Sequence, residues 1–263
     1  MSGWFSENPD KAWVEKFFLI YTPVWMVLMA IMMPTGWAES AGNGALLFHG
    51  LLVALPIIVV PALLNKRFGS GSWCDSYWLK VNLYLFIFGF FGNYFGSEYF
   101  FDTLGMVYNY PNATTNLDSA LLGSGEQKVP LIMYFYTHAY FMTYHATANI
   151  TLRKFRSLNL PAGGFLFAVM VFVVGYLWAW AETKAMANPM LESSFYYKDM
   201  SRMLAYGSAI YATYFVASFP IYYWIDEIKT RKWTLLQVAA GGMAASMLTF
   251  YMLDITTHII GRL

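Results

Sequence analysis

Apolar runs of membrane-crossing length recur along this chain, separated mostly by short polar turns. Seven can be marked, over about 17–34, 46–64, 78–97, 129–151, 163–186, 203–225 and 234–258. Each approaches the roughly 20 residues that carry an α-helix across the hydrocarbon core of a bilayer. Lipid offers no hydrogen-bond partners to the backbone, so runs of this kind fold as helices. The fold expected is all-α, a polytopic bundle of about seven transmembrane helices forming one domain over residues 1–263. Composition agrees: 58% of residues are hydrophobic and only 12% are charged, about half the charged share of a soluble domain.

The charges that remain are informative by position. Lys11, Lys16, Lys66, Arg67, Lys80, Arg153, Lys154, Arg156, Lys229, Arg231 and Lys232 fall on one side of the expected bundle. Lys128, Lys184, Lys198, Arg202 and Arg262 fall on the other. The positive-inside bias then places the N-terminus in the cytoplasm, and an odd helix count places the C-terminus opposite. The polar segment from Met1 to Lys16 lacks a signal-peptide pattern. A net charge of +1 creates no field that would recruit nucleic acid. The single cysteine, Cys74, can form no internal disulfide and carries no metal motif.

Ionisable groups at membrane depth cost about 2.5–3.5 kcal/mol each on insertion scales, so each needs a reason. With the topology above, Asn93, Glu98, His138, Glu182, Asp254 and His258 fall in one outer layer, with His49 near its edge. His138 and His145 are seven residues apart on the run at 129–151, about two helical turns, and so point the same way. His145 lies about 10 Å deeper, with Asn149 beyond it. His49 and His258 read as interfacial side chains. The run Arg153-Lys154-Phe155-Arg156 reads as a cytoplasmic anchor.

Carboxylates and imidazoles sharing a buried layer suit proton transfer to and from an apolar substrate. Burial favours the neutral, proton-donating carboxyl, and a neutral histidine can accept a proton. Aromatic faces stabilise a cation without attacking it. Four histidines are too few for a histidine-rich di-iron oxygenase. No lysine lies within the seventh run for a retinal Schiff base, and no glycine-rich phosphate loop is present.

Ordered segments spread over the chain carry a resemblance. They include Asn8-Pro9-Asp10-Lys11-Ala12-Trp13, Asp75-Ser76-Tyr77-Trp78-Leu79-Lys80, Gly92-Asn93-Tyr94-Phe95 and Thr137-His138. They continue through Tyr144-His145, Asn149-Ile150-Thr151-Leu152-Arg153, Glu182-Thr183 with Ala187-Asn188, Ser218-Phe219-Pro220 and Leu253-Asp254. In order and spacing the chain resembles the cycloeucalenol cycloisomerase (cyclopropyl sterol isomerase) family.

The resemblance implies opening of the 9β,19-cyclopropane ring of a cyclopropyl sterol to a Δ8 sterol, with no redox cofactor, metal or nucleotide. It implies a sterol substrate held within the lipid bilayer and neighbouring sterol-biosynthesis enzymes. The membrane would be the inner membrane of a bacterium or the endoplasmic reticulum of a eukaryote. On this reading Glu182 is the acid, and Asp254 and His138 are the base or its support. Asn93, Tyr94 and Trp178 orient the sterol or line its pocket, and His145 and Asn149 continue the polar face inward. Two other readings stay open at this point: a sterol-binding membrane protein without catalysis, and a proton-coupled transporter. Sterol turnover separates the first from these, and flux across liposomes the last.

Overall fold

The computed structural model describes residues 3–32, 35–64, 72–186 and 188–262. Lys66 and Arg67 of the charge count, Pro34 at the end of the first run, and Ala187 of the resemblance lie outside the described residues. The elements are α1 (Pro9–Met32), α2 (Trp37–Ser40), α3 (Asn43–Leu64), α4 (Tyr77–Phe91), α5 (Ser97–Leu104), β1 (Met106–Tyr108), α6 (Ile132–Arg156), α7 (Gly163–Met186), β2 (Phe195–Tyr197), α8 (Met200–Arg202), α9 (Ser208–Trp224) and α10 (Leu235–Ile260). The bundle is all-α, as the apolar runs require.

Five helical stretches are long and apolar enough to cross a bilayer: Pro9–Met32, Asn43–Leu64, Gly163–Met186, Met200–Trp224 and Leu235–Ile260. The other two expected spans differ for physical reasons. The run at 129–151 becomes α6, whose polar side chains are tolerated because the helix sits in the middle of the bundle. It packs against α1, α3, α4, α7 and α9, and most of its length is buried. By contrast α7 buries only Val171, Val174, Gly175, Ala179 and Thr183, the pattern of a helix that faces lipid. The run at 78–97 becomes α4, capped by the Ser76 hydroxyl, followed by a π-helical turn over Gly92–Gly96 and then α5.

Two boundaries move. The N-terminal segment expected as a polar tail forms the first turns of α1, where Asn8 accepts from the Asp10 N–H and Lys11 and Glu15 are buried. The segment after 98, expected as a loop, is partly ordered: α5 runs to Leu104, and β1 pairs antiparallel with β2, Val107 opposite Tyr196. This small ribbon joins two loops at the end of the bundle assigned to the outer side. Side chains stitch further: the Asn112 amide donates to the Glu39 carbonyl, and that of Asn109 to the Ser193 carbonyl. Together these loops roof the space between α6, α7 and α9.

Candidate active site

Beneath that roof lies a cavity with about 870 Å³ of empty space, part of it open to the outside. Its wall is aromatic, with Tyr108, Tyr110, Tyr136, Tyr140, Tyr197, Tyr211 and Tyr214 alongside Phe100, Phe141 and Phe195. Among the lining residues Glu182 is the one carboxylate. The Tyr211 hydroxyl donates to Glu182 Oε2 at 2.6 Å, and the Tyr144 hydroxyl also hydrogen-bonds the carboxyl. Among the described residues Glu182 makes no ion pair with a cation. Helix geometry explains the placement. Glu182 stands near the end of α7, which packs on both α6 and α9, the helices that supply Tyr144 and Tyr211.

The π-helical turn shapes the opposite wall. One extra residue per turn at Gly92–Gly96 redirects the side chains, a device often found at functional sites. Asn93 lines the cavity there. It is buried, donates to the Gly89 carbonyl at 2.9 Å and accepts from the Thr137 hydroxyl at 3.3 Å. Gly96 is required by close approach: a Cβ would stand 1.8 Å from the Tyr214 hydroxyl.

Several residues expected in the layer are elsewhere. His138 is buried but does not line the cavity; its Nε2 pairs with Asn82 Oδ1 of α4 at 2.8 Å. His145 bonds the Phe141 carbonyl and the Ser218 hydroxyl, enclosed by Tyr84, Phe219 and Tyr222. The two histidines on one helix therefore serve different neighbours. Asp254 lies on the exposed side of α10, accepts from Tyr99 at 3.2 Å and stands 3.7 Å from His258. Tyr94 stacks on Phe90 with 5.3 Å between centroids, away from the cavity. Trp178 packs behind the site, its ring 4.7 Å from that of Tyr144. Glu98 is buried under the loop at Gly123. His49, expected as interfacial, contacts the hydroxyl of the cavity residue Tyr136 at 2.8 Å. Reading the sequence for ionisable groups passed over the tyrosines. Their signal was spacing: Tyr136, Tyr140 and Tyr144 recur every fourth residue and therefore share a helix face.

No family model matches the chain, and no solved structure does. A curated relative does. The cycloeucalenol cycloisomerase of Arabidopsis thaliana is 37% identical over 267 aligned residues, covering 99% of this chain and 90% of the relative. The chain belongs to the cycloeucalenol cycloisomerase family. It is an isomerase, built on a helical membrane bundle.

This cycloisomerase-family chain has a second buried polar region, at the other end of α6. Arg153 is its centre. The guanidinium donates to both oxygens of Glu15 (2.7 and 2.9 Å), to both oxygens of Glu227 (2.6 and 2.7 Å) and to the Trp4 carbonyl. Lys11 adds bonds to the Tyr223 and Ile225 carbonyls, each 2.7 Å, and an ion pair to Glu227 at 2.9 Å. Lys80 pairs with Asp226 at 2.6 Å. The Asn149 amide joins Glu15 to the Tyr77 hydroxyl. Arg153 is thus no surface anchor, contrary to the reading of its basic run: the charge is neutralised inside the fold. Its neighbours keep the expected interfacial character, Lys154 over Trp4 and Arg156 over Trp224. In the loop after α9, burial works against ionising Glu227. The bonds from Arg153 and the field of Lys11 outweigh it and hold the carboxyl below its ordinary value. Among the described residues no group of three or more His, Cys, Asp or Glu is placed to hold a metal ion.

Proposed function

We propose that this protein opens the 9β,19-cyclopropane ring of a cyclopropyl sterol such as cycloeucalenol, giving a Δ8 sterol of the obtusifoliol type. The observation that carries the reading is Glu182, the one carboxylate in the wall of an aromatic cavity and bonded by tyrosine hydroxyls rather than by a cation. The substrate class and the reaction come from the resemblance to the relative. The lining supplies the groups assigned to its steps.

The Glu182 carboxyl gives its proton to C19. The electron pair of the C9–C19 bond forms the new C–H bond, and C19 becomes the angular methyl. Positive charge develops at C9, where the faces of neighbouring tyrosines and phenylalanines stabilise it without trapping it. Loss of the C8 proton then places that electron pair in the C8=C9 alkene. C8 and C19 are both bonded to C9, so the two oxygens of one carboxylate can reach both. Glu182, now ionised, takes the C8 proton and is restored. His138 and Asp254 do not line the cavity and have no step in this scheme. Asn93 supplies a polar contact to the bound sterol, while Tyr144, backed by Trp178, and Tyr211 aim the carboxyl. His145 and Asn149 act on the helix rather than on the substrate.

The test is conversion of cycloeucalenol by the purified protein, with the C8 position deuterated. Wild type yields a Δ8 sterol with one new hydrogen in the angular methyl. The C8 deuterium either exchanges with solvent or appears in the methyl of a later product molecule. Glu182→Gln loses turnover while still binding sterol. Full activity in that variant removes Glu182 as the donor, and saturable binding by wild type without any product would support a sterol carrier instead.

A further inference from the structure

Away from the active site, a groove with about 1240 Å³ of empty space, open to the surroundings, runs between the end of α9 and the start of α10. Its floor is apolar, made by Pro220 and Ile221 of α9 and by Ala240, Gly241 and Ala244 of α10. Ala240 and Ala244 are exposed, so this part of α10 is left uncovered by the fold. The mouth is different. Trp224 and Trp233 flank it, and Arg231 and Lys232 line it. The groove thus changes from basic and aromatic to apolar along its length.

The short loop from Ile225 to Thr234 explains why these cations face outward. Both of its carboxylates point into the buried network, Asp226 to Lys80 and Glu227 to Arg153 and Lys11. Arg231 and Lys232 are exposed and make no ion pair among the described residues; the carboxylate that acts on Lys232 at longer range is Asp10. A third cation, Arg156, stands over the ring of Trp224 at 4.6 Å, stiffening that wall. Tryptophans at this position are characteristic of the level where acyl chains meet headgroups, and basic pockets between helices at that level fit anionic lipid heads.

We infer that this groove is a binding site for an anionic glycerophospholipid. The phosphate lies between Arg231 and Lys232, and an acyl chain lies along Ile221, Gly241 and Ala244. Charge complementarity selects this occupant. A zwitterionic lipid brings its own headgroup cation and no net negative charge to the two side chains, and a soluble phosphate ester would leave the apolar floor empty.

The experiment uses the full chain in detergent micelles, with bound lipid counted by native mass spectrometry. Phosphatidylglycerol, phosphatidylcholine with the same acyl chains, and soluble glycerol 3-phosphate are titrated separately. Phosphatidylglycerol is expected to be retained well above phosphatidylcholine. The doubly substituted R231Q/K232Q chain is expected to lose that preference by roughly thirty-fold, given the usual contribution of each basic residue at an anionic surface. Ala244→Leu, which fills the floor from an exposed position, is expected to weaken phosphatidylglycerol without restoring phosphatidylcholine. Equal retention of the two lipids, an unchanged preference in R231Q/K232Q, or glycerol phosphate binding as tightly as the lipid would each overturn the proposal. So would a protein dimer that covers the groove when lipid is removed.

Discussion

The two ends of α6 hold ionisable groups in opposite ways, one half-buried and one buried. At one end Glu182 faces an open cavity, bonded by tyrosine hydroxyls and without a paired cation. At the other, Lys11, Lys80 and Arg153 meet Glu15, Asp226 and Glu227, three charges of each sign with no comparable space between them. A buried carboxylate answered by a guanidinium has no proton to give and nothing adjacent to receive it. One held by phenols beside an aromatic cavity is the arrangement that the proposed mechanism uses. The difference teaches that burial of a charged residue does not by itself mark chemistry. Compensation and neighbouring space do.

Four substitutions test this contrast. The largest effect is expected for Glu182→Gln, a fall in sterol turnover of about 10²- to 10⁴-fold with the melting temperature close to the parent's. Activity assays beside a thermal scan check it, and a variant that melts early but turns over normally would invert the assignment. Next is Arg153→Ala, which takes the paired cation from Glu15 and leaves Glu227 with Lys11 alone. A loss of about 3–5 kcal/mol of stability is expected, because removing one partner leaves buried charges uncompensated. Detergent-solubilised unfolding measures it, with any activity lost in step with folded protein.

A smaller effect concerns pH. The folded state holds the Glu227 carboxyl below its ordinary value. Its contribution is therefore complete above the unfolded carboxylate value and is lost as pH falls through the lower, folded one. Thermal scans should show stability declining on the acid side of about pH 4.5, with a shallower decline in Glu227→Gln. An identical slope in the two proteins would detach Glu227 from the network. The smallest effect is expected for Asp254→Asn. The residue is exposed and its contact with His258 is long, so stability should change by no more than about 0.5 kcal/mol and turnover should stay near the parent's. A large loss of turnover would restore Asp254 to the site.

Much of the fold was legible because lipid solvation leaves a coarse signal. Apolar runs located α3, α7 and α10 within a few residues of their observed ends. Polar residues at depth were legible as a set, and two of them, Glu182 and Asn93, line the cavity. Their grouping was not. Depth along a helix is set by a rise of about 1.5 Å per residue and can be counted from sequence. The direction a side chain faces depends on which helices pack beside it. His138, Glu182 and Asp254 were placed at one depth, yet they face α4, a cavity and the outside respectively. The tyrosines that hold Glu182 escaped notice because a phenol has no strong desolvation cost to draw attention to it.

The sequence by itself determined that this chain is a helical membrane protein, and its ordered segments determined its family. Both follow from properties carried residue by residue: transfer of side chains into lipid, and identity at spaced positions. Only the tertiary structure decided that α6 is the buried centre of the bundle, that Arg153 is neutralised within the protein, and that Glu182 alone among the expected acid and base candidates meets the cavity. These depend on contacts between helices far apart in sequence. The sign and distance of a neighbouring charge, which separate the proposed proton donor from the ion-paired carboxylates, exist only after those helices pack.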